Sequence, residues 1–193
     1  ENHIDIACAD IYFKSYVLPA LKRYMQKNEN MTFSINSKSD YKYRISLVES
    51  NQCDFAIIEE SEKILSENVV CKKFATLHYK LVYNPAYFNI NSDMPIEDIF
   101  ENYHFFVQTL GTRPRSYLES VLDEKFPLLY SEFYHVDSLI DAVEAGVGIG
   151  FVPVEFLLDR NLKVLDQLTK SVTVNIIYKP HNEYLIKSLF DIE

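Results

Sequence analysis

The stretch HVDSLIDAVEAGVGIGFVPV, residues 135–154, predicts a helix followed by a buried strand, and the rest of the chain can be ordered around it. Asp137 is the expected N-cap of the helix, because a short carboxylate side chain can accept hydrogen bonds from the first free N–H groups. Leu139, Ile140 and Val143 follow at helical spacing. This half of the stretch therefore predicts an amphipathic helix.

The second half of the stretch predicts a strand. Gly146 stands where a helix commonly ends in a residue of left-handed conformation. The apolar run 147–152 follows, with Gly148 and Gly150 inside it, and Pro153 ends it before another short helix. A strand this apolar is expected to be covered on both faces, as in a parallel sheet between helices.

The remaining sequence repeats this alternation of strands and helices. Strands are predicted at 4–7, 32–36, 54–58, 69–83, 104–107, 128–134 and 172–178, with an edge strand at 162–165. Helical stripes are predicted around 17–25, 41–48, 95–100, 117–122 and 185–190. Pro19 falls inside the first stripe, so that helix either starts late or kinks. Ser37 or Ser39 is the expected cap of the helix that begins near Tyr41.

Two long strands, 69–83 and 172–178, flank one block of αβ units, and a strand as long as 69–83 is unusual in a small α/β lobe. They make sense if each leaves one lobe and enters another. The sequence thus predicts an α/β protein with a discontinuous first lobe, residues 1–82 plus 179–193, and a second lobe, residues 83–178. Paired crossing strands are a natural hinge.

Segment 137–157, DSLIDAVEAGVGIGFVPVEFL, resembles the late part of the effector-binding domain of LysR-type transcriptional regulators. VLPAL at 17–21 matches the Leu-Pro context of that family, and ESNQCDFAI at 49–57 matches its turn and following strand. The resemblance spans nearly the whole chain in the family's order. It implies two Rossmann-like lobes joined by two crossover strands, a fold of the type 2 periplasmic-binding-protein kind.

The resemblance also implies the partners, which would be those of a bacterial regulator domain. It would sense a small-molecule effector, and DNA would be bound only by a helix-turn-helix domain preceding residue 1. The domains would pair side by side as a homodimer, or form a tetramer in the full-length regulator. The helix after Asp10 would meet the helix around 139–143 of a neighbour, with exposed apolar residues as the physical sign.

The composition limits the classes of protein to which this chain can belong. The 193 residues are 48% hydrophobic and 14% aromatic, enough for one large domain or two small lobes. The net charge of −9 argues against nucleic acid as a partner of this polypeptide. No apolar run reaches membrane-spanning length and no signal peptide is visible, so we expect a cytoplasmic location without membrane contact. The chain starts mid-pattern without Met, which suggests an excised fragment.

Three cysteines, Cys8, Cys53 and Cys71, are widely spaced among apolar residues. They are expected to be reduced, buried thiols. A redox switch built from two of them is the alternative.

Candidate ligand contacts follow from topology. In open α/β sheets, ligands bind beyond the carboxyl ends of strands, where helix N-termini point. Four loops qualify, two in each lobe, and they would face each other across a crevice. The candidate residues are Ala9, Asp10, Ile11, Ser37, Lys38, Ser39, Thr109, Leu110, Gly111, Thr112, Arg113, His135, Val136 and Ser138. The resemblance assigns effector contacts to Ser37, Ser39, Thr109, Thr112 and Ser138 in particular.

The same residue types have a plainer explanation, because Ser39, Thr112 and Ser138 are also what a helix N-terminus favours. Lys38 and Arg113 favour an anionic ligand, with solvated surface charge as the alternative. Asp10 would repel an acid, so it would receive a hydroxyl or amine of the ligand or pair with Lys38.

No catalytic or cofactor motif is present, so we predict a protein that is not an enzyme and uses no cofactor or metal. The G-x-G-x-G at 146–150 follows a helix, whereas a dinucleotide fingerprint opens one. There is no phosphate-binding loop and no G-x-S-x-G elbow. The five histidines are scattered and lack metal-ligand spacing; His135 is retained as a ligand contact.

Two alternatives stay open from sequence. A free-standing solute-binding protein of a transporter would share the bilobed form, and would require a signal peptide or lipid anchor upstream. A bilobed α/β enzyme, such as a deaminase or dehydratase, lacks the catalytic constellation it would need.

Overall fold

The computed structural model describes residues 2–60 and 65–190, and the chain divides into two units. Unit 1 is Glu1–Ala75 with Thr173–Glu193, and unit 2 is Thr76–Val172. Two strands pass between them: β4 (Val70–Tyr83) leaves unit 1 and β8 (Lys163–Tyr178) returns to it. The predicted double crossing is therefore confirmed.

Unit 1 begins with β1 (His3–Ala7) and three consecutive helical segments, then alternates strand and helix. Its elements are β1, α1 (Asp10–Tyr12), a π-helical segment (Phe13–Val17), α2 (Leu18–Lys27), β2 (Thr32–Asn36), α3 (Tyr41–Glu49), β3 (Phe55–Glu59), the start of β4, the end of β8, a 3₁₀ turn (Pro180–Asn182) and α7 (Glu183–Phe190). The strand order is β2-β1-β3-β8. β1 is parallel to β2 and β3, whereas β8 is antiparallel to β3.

The first helix accommodates Pro19 by changing its winding. Helical structure starts at Asp10, earlier than the apolar stripe predicts, and passes through the π segment directly before α2. Pro19 lies in the first turn of α2 and cannot donate a backbone hydrogen bond, and single π turns are a recurrent way to absorb such a break. Helical structure is therefore continuous from Asp10 through Pro19, and the helix does not start late.

Unit 2 repeats the plan of unit 1. Its elements are the remainder of β4, α4 (Ile96–Asn102), β5 (Phe105–Gln108), α5 (Arg113–Leu122), a 3₁₀ turn (Asp123–Lys125), β6 (Tyr130–Phe133), α6 (Val136–Glu144), β7 (Ile149–Pro153), a 3₁₀ turn (Val154–Phe156) and most of β8. The order is β4-β7-β5-β6, with β5 parallel to β6 and β7, and β4 antiparallel to β7. The predicted α/β class with two Rossmann-like lobes is confirmed.

The stretch 135–154 folds as predicted apart from its cap and the start of its strand, since β7 begins at Ile149 and Val147 is 62% exposed. α6 ends at Glu144, and Gly146 has φ of 77°, the left-handed conformation. All of β7 is buried. The N-cap position belongs to His135, whose side chain makes no capping hydrogen bond, and Asp137 lies inside the first turn, so the assignment of Asp137 as N-cap was wrong.

Packing explains the three glycines of this stretch. A Cβ on Gly146 would collide with the ring of Tyr87, which lies against the end of α6. One on Gly148 would collide with the backbone carbonyl of His104, and one on Gly150 with the side chain of Leu139. The G-x-G-x-G pattern is thus a requirement of close packing around β7.

Other boundaries also differ from the sequence prediction, and α5 begins at Arg113, before the predicted stripe 117–122. β6 starts at Tyr130 because β5 offers only four residues to pair with it, and Leu128 and Leu129 are 97% and 81% exposed. The predicted strands 162–165 and 172–178 are one strand, β8, since no Gly or Pro interrupts residues 166–171.

The apolar residues predicted to mark a dimer interface are only partly exposed. Leu18 on α2 is 45% exposed. Leu139, Ile140 and Val143 on α6 are buried within unit 2, because they form the inner face of that helix. The expectation of exposed apolar residues was therefore wrong for α6.

Candidate functional site

The loop after β1 leads directly into a helix N-terminus. The carbonyl of Ala9 accepts hydrogen bonds from the backbone N–H of Tyr12 and of Phe13, both at 3.0 Å. Asp10 and Ile11 form the first turn, half-buried. This loop occupies the carboxyl end of β1, as the topology predicts.

The loop after β2 lies at the same sheet edge. Ala7 pairs with Asn36 in the β1–β2 register, and the N–H of Cys8 donates to the Asn36 carbonyl at 3.1 Å. The structure therefore brings the loop of Ala9–Ile11 and the loop of Ser37–Ser39 together within unit 1.

Asp40 caps the helix that follows, not Ser37 or Ser39. Its carboxylate accepts hydrogen bonds from the N–H of Lys42 at 2.9 Å and of Tyr43 at 3.2 Å. The expectation that either serine caps α3 was wrong, because the helix starts after them and the carboxylate sits at the N-cap position. Neither serine hydroxyl is needed for this cap.

Lys38 makes backbone and side-chain contacts within unit 1. Its N–H donates to the side-chain carbonyl of Asn36 at 3.2 Å, and its ammonium lies 4.3 Å from the centroid of the Tyr43 ring. Such a cation–π contact gives an exposed lysine a preferred place on the protein surface. Lys38 is therefore a weaker argument for an anionic ligand than its position in the sequence suggested.

A buried charge network lies beneath these two loops. Arg44 is 2% exposed; its Nε donates to the Lys38 carbonyl at 3.0 Å and its Nη1 to the Ile57 carbonyl at 3.5 Å. The same Nη1 lies 3.9 Å from Oε2 of Glu59. The Tyr12 hydroxyl donates to Oε1 of Glu59 at 2.7 Å. These contacts tie the second loop, the end of β3 and the first helix together.

Two of the three cysteines of unit 1, Cys8 and Cys53, are poor nucleophiles, whereas Cys71 on β4 is only half-buried, so the expectation of a buried thiol was wrong for Cys71. Cys8 and Cys53 are buried, and burial raises the pKa of each thiol to about 12. A thiol with so high a pKa is almost wholly protonated at neutral pH, and the thiolate is the reactive form. The environment of these two residues fits structural thiols.

In unit 2, the loops after β5 and β6 also lie side by side. Gln108 pairs with Phe133, and the N–H of Thr109 donates to the Phe133 carbonyl at 3.0 Å. The structure therefore brings the loop of Thr109–Arg113 and the loop of His135–Ser138 together within this unit.

The first of these loops is a tight turn. Gly111 has φ of 86°, a conformation that favours glycine, and the Thr112 hydroxyl donates to the Thr109 carbonyl at 2.8 Å. Leu110 points outward at 63% exposed. Arg113 is the first residue of α5, and Thr112 occupies its N-cap position without a side-chain cap.

The second loop enters α6 directly. The carbonyl of His135 accepts from the N–H of Leu139 at 3.3 Å, and Val136 is buried. Ser138 is exposed within the first turn of the helix. The loop thus presents a helix N-terminus rather than a set of converging side chains.

Unit 2 has a buried arginine of its own. Arg115 is 3% exposed and donates to the Gln108 carbonyl, Glu119, Glu132 and the Tyr130 hydroxyl at 2.7–3.1 Å. Burial alone would lower its pKa, but the hydrogen bonds to Glu132, Glu119 and Tyr130 raise it above the usual value. Its carbon Cζ also lies 4.9 Å from the Tyr130 ring centroid.

Sequence reasoning missed Arg44, Glu59, Tyr12 and Arg115. A signal for Arg44 existed, because it shares the helical face of Tyr41, Ile45 and Val48 and so had to be buried. Glu59 ends a strand that is otherwise apolar. A charge at an apolar helical position is the pattern that would have revealed this network.

Two further findings bear on function. Within the described residues, no cluster of three or more His, Cys, Asp or Glu side chains could hold a metal ion. In the same part of the chain, no helix has the length and apolarity to cross a membrane.

Sequence comparison identifies one family. The profile described as LysR substrate binding domain matches residues 1–183. None of the curated proteins matches the chain in sequence.

Solved structures share the fold at low sequence identity. A mutant of the regulatory domain of HypT from Salmonella typhimurium has a TM-score of 0.72 and 15% identity, covering 93% of this chain and 89% of that one. The cofactor-binding domain of the Cbl transcriptional regulator has a TM-score of 0.72 and 17% identity over 98% and 88%. The regulatory domain of CcmR from Synechocystis, in complex with 2-PG, has a TM-score of 0.72 and 12% identity over 99% and 97%.

Proposed function

The chain belongs to the family of LysR substrate-binding domains, and on that premise we propose that it is the effector-sensing part of a cytoplasmic transcriptional regulator. The family match over residues 1–183 is the observation that carries this proposal. Domains of this family are ligand-sensing, and we infer that this one binds a metabolite without converting it.

The two units would be the two regulatory lobes of this sensor. The predicted lobe boundaries, 1–82 plus 179–193 and 83–178, place the crossings toward the ends of β4 and β8, whereas the chain divides at 75/76 and 172/173. The effector would bind at loops that follow the carboxyl ends of strands in these lobes. Each lobe offers it two loops that leave adjacent parallel strands at one sheet edge.

The effector is a small, anionic metabolite in this proposal. Free N–H groups at helix N-termini favour negative charge, and the loops before α1, α5 and α6 all lead into such termini. The hydroxyls of Ser37, Ser39 and Thr109 add donors, and Arg113 adds a charge at the start of α5. Lys38 contributes less, since it lies over Tyr43.

Effector binding would act by shifting an equilibrium between two arrangements of the regulator. An effector can change the relative populations of two arrangements only by its difference in affinity for them. The readout would be DNA binding by a helix-turn-helix domain outside this chain, because a net charge of −9 is unsuited to phosphate contacts.

A homodimer is the proposed assembly, with charge complementarity in support of it. Lys22 and Arg23 are exposed on α2, while Asp141 and Glu144 are exposed on α6. Arg160 bridges the two acids at 2.7 and 2.6 Å and offsets one of their two charges, which leaves a net negative charge on this face of α6. Pairing α2 of one copy with α6 of another would bring opposite charges together.

A thermal-shift screen tests the proposal. Organic acids, amino acids and phosphorylated metabolites, with 2-PG included because one similar structure holds it, are added to the purified chain. We expect at least one anionic compound to raise the melting temperature in a concentration-dependent way, by the linkage of binding to stability. Recovery of the compound unchanged would support a sensor, whereas turnover would support an enzyme.

A further inference from the structure

Burying the charge of Arg44 inside unit 1 costs free energy. Arg44 is 2% exposed, and the carboxylate of Glu59, with which it forms an ion pair, lies 3.9 Å away, beyond hydrogen-bond distance. A buried ion pair usually stabilises a protein no more than well-packed apolar residues of similar size would. Stability alone therefore gives no strong reason to place a charge here.

The contacts of Arg44 suggest what the charge is for. Its Nε–H bond to the Lys38 carbonyl, at 3.0 Å, is its shortest hydrogen bond, and it fixes the backbone between Ser37 and Ser39. Its Nη1 reaches back to the Ile57 carbonyl and to Glu59 at the end of β3. The guanidinium thus joins the second loop of unit 1 to the edge of its sheet.

Glu59 extends the connection to the first helix. Glu59 is 8% exposed, and its Oε1 accepts the hydroxyl of the buried Tyr12 at 2.7 Å. Tyr12 stands one residue after Ile11, in the first turn of that helix. The two predicted effector loops of unit 1 are therefore linked by one path, Tyr12 to Glu59 to Arg44 to the Lys38 carbonyl.

We propose that Arg44 is a positioning residue that couples these two loops, so that a movement of one changes the conformation of the other. The proposal rests on the proposed function, since it makes the coupling part of effector sensing. The Tyr12 hydroxyl holds Oε1 of Glu59, Oε2 lies 3.9 Å from Nη1 of Arg44, and Nε of Arg44 holds the Lys38 carbonyl. Once the Tyr12 bond is lost, Glu59 closes on Arg44 and draws it off the Lys38 carbonyl.

The alternative is a network that only stabilises the core of unit 1. Removing the Tyr12 hydroxyl would then loosen the surroundings of residue 12 or lower stability throughout the unit. Only coupling predicts a local change at Lys38 and Ser39, which the path from Tyr12 reaches through Glu59 and Arg44.

Hydrogen exchange of the unliganded chain tests this. The variants are Tyr12→Phe and, as matched control, Tyr178→Phe, whose hydroxyl donates to Glu183 in the same unit but outside the path. Coupling predicts that Tyr12→Phe raises exchange at the amides of Lys38 and Ser39 roughly threefold to tenfold, the range expected for one lost hydrogen bond. Tyr178→Phe leaves those amides unchanged.

Exchange at Lys38 and Ser39 that stays at the parent level in Tyr12→Phe overturns the proposal, and so does an equal rise in both variants. The double variant Arg44→Met with Glu59→Gln removes both charges together and should raise exchange at the loop as well. No effector is used, so failure here leaves the proposed function standing, and failure of the metabolite screen leaves this result standing.

Discussion

Both units bury an arginine near the loops proposed for the effector, but the two arginines are partnered differently. Arg44 in unit 1 faces one acid at 3.9 Å, and that acid is itself buried. Arg115 in unit 2 makes close ion pairs with Glu119 and Glu132, whose side chains are 47% and 43% exposed. The acids of unit 2 can return to water if their partner is lost, whereas Glu59 cannot. This difference agrees with two roles: Arg44 positions a loop, whereas Arg115 holds α5 against β6.

The largest expected effect is at Arg44. Arg44→Met leaves Glu59 buried without its counter-charge, and breaking a buried pair on one side typically costs roughly 3–5 kcal/mol. Urea unfolding of the parent and the variant measures this loss. Adding Glu59→Gln to Arg44→Met should restore much of the stability. A double variant as unstable as the single one would show that the pairing of the two charges is not what matters.

Arg115→Met should cost less, roughly 2–3 kcal/mol, since its hydrogen bonds to charged groups are lost while Glu119 and Glu132 gain water. Hydrogen exchange followed by mass spectrometry should place the loosening in α5 and β6. Arg115→Lys keeps the charge but not the planar fork, and should recover only part of the loss. A cost larger than that of Arg44→Met would reverse the comparison.

Gly146→Ala tests how much the backbone conformation and packing after α6 contribute to the stability of unit 2. A Cβ at φ of 77° is strained and collides with the Tyr87 ring, so we expect a loss of roughly 2 kcal/mol, confined to unit 2. The Gly146→Ala variant with Tyr87→Ala should keep only the backbone part of that loss. If Tyr87→Ala gives no relief, the ring contact is not responsible.

The smallest effect, and a pH-dependent one, is expected at Glu183 in unit 1. Hydrogen bonds from Lys72 and Tyr178 lower the pKa of Glu183 to about 2 from 4.5. A carboxyl whose pKa falls on folding adds stability that is present above its unfolded pKa and lost as the pH drops toward the folded value. Parent and Glu183→Gln should therefore differ most above pH 4.5 and converge toward pH 2. A difference that does not change between those limits would contradict this.

The fold could be predicted from sequence because its periodic elements agree with one another. One αβ unit was predicted from the apolar helix face of Leu139, Ile140 and Val143 and from the apolar run of β7. Similar patterns predicted the other units. The two long strands β4 and β8 gave the double crossing. Errors fell at caps and strand ends, where a single carboxylate or the length of a neighbouring strand decides the boundary.

The loops of the candidate site could be predicted from topology, but their supporting contacts could not. Residue type placed Lys38 in a loop and suggested a ligand contact, whereas the structure lays its ammonium over Tyr43. Arg44 and Glu59 are 15 residues apart in sequence and meet only through the packing of α3 against β3. The position of Arg44 on the apolar face of α3 was a signal in the sequence, but nothing in the sequence identified Glu59 as its partner.

The central proposal is that a small effector contacts the loops that carry Ser39 and Thr109. Isothermal titration of the metabolite that stabilises the chain most, into the parent, Ser39→Ala and Thr109→Ala, tests it most directly. The account predicts that both variants bind more weakly, each by roughly 1 kcal/mol for one lost hydrogen bond, while their melting temperatures without effector stay near that of the parent. Parent-like affinity in both variants would contradict it.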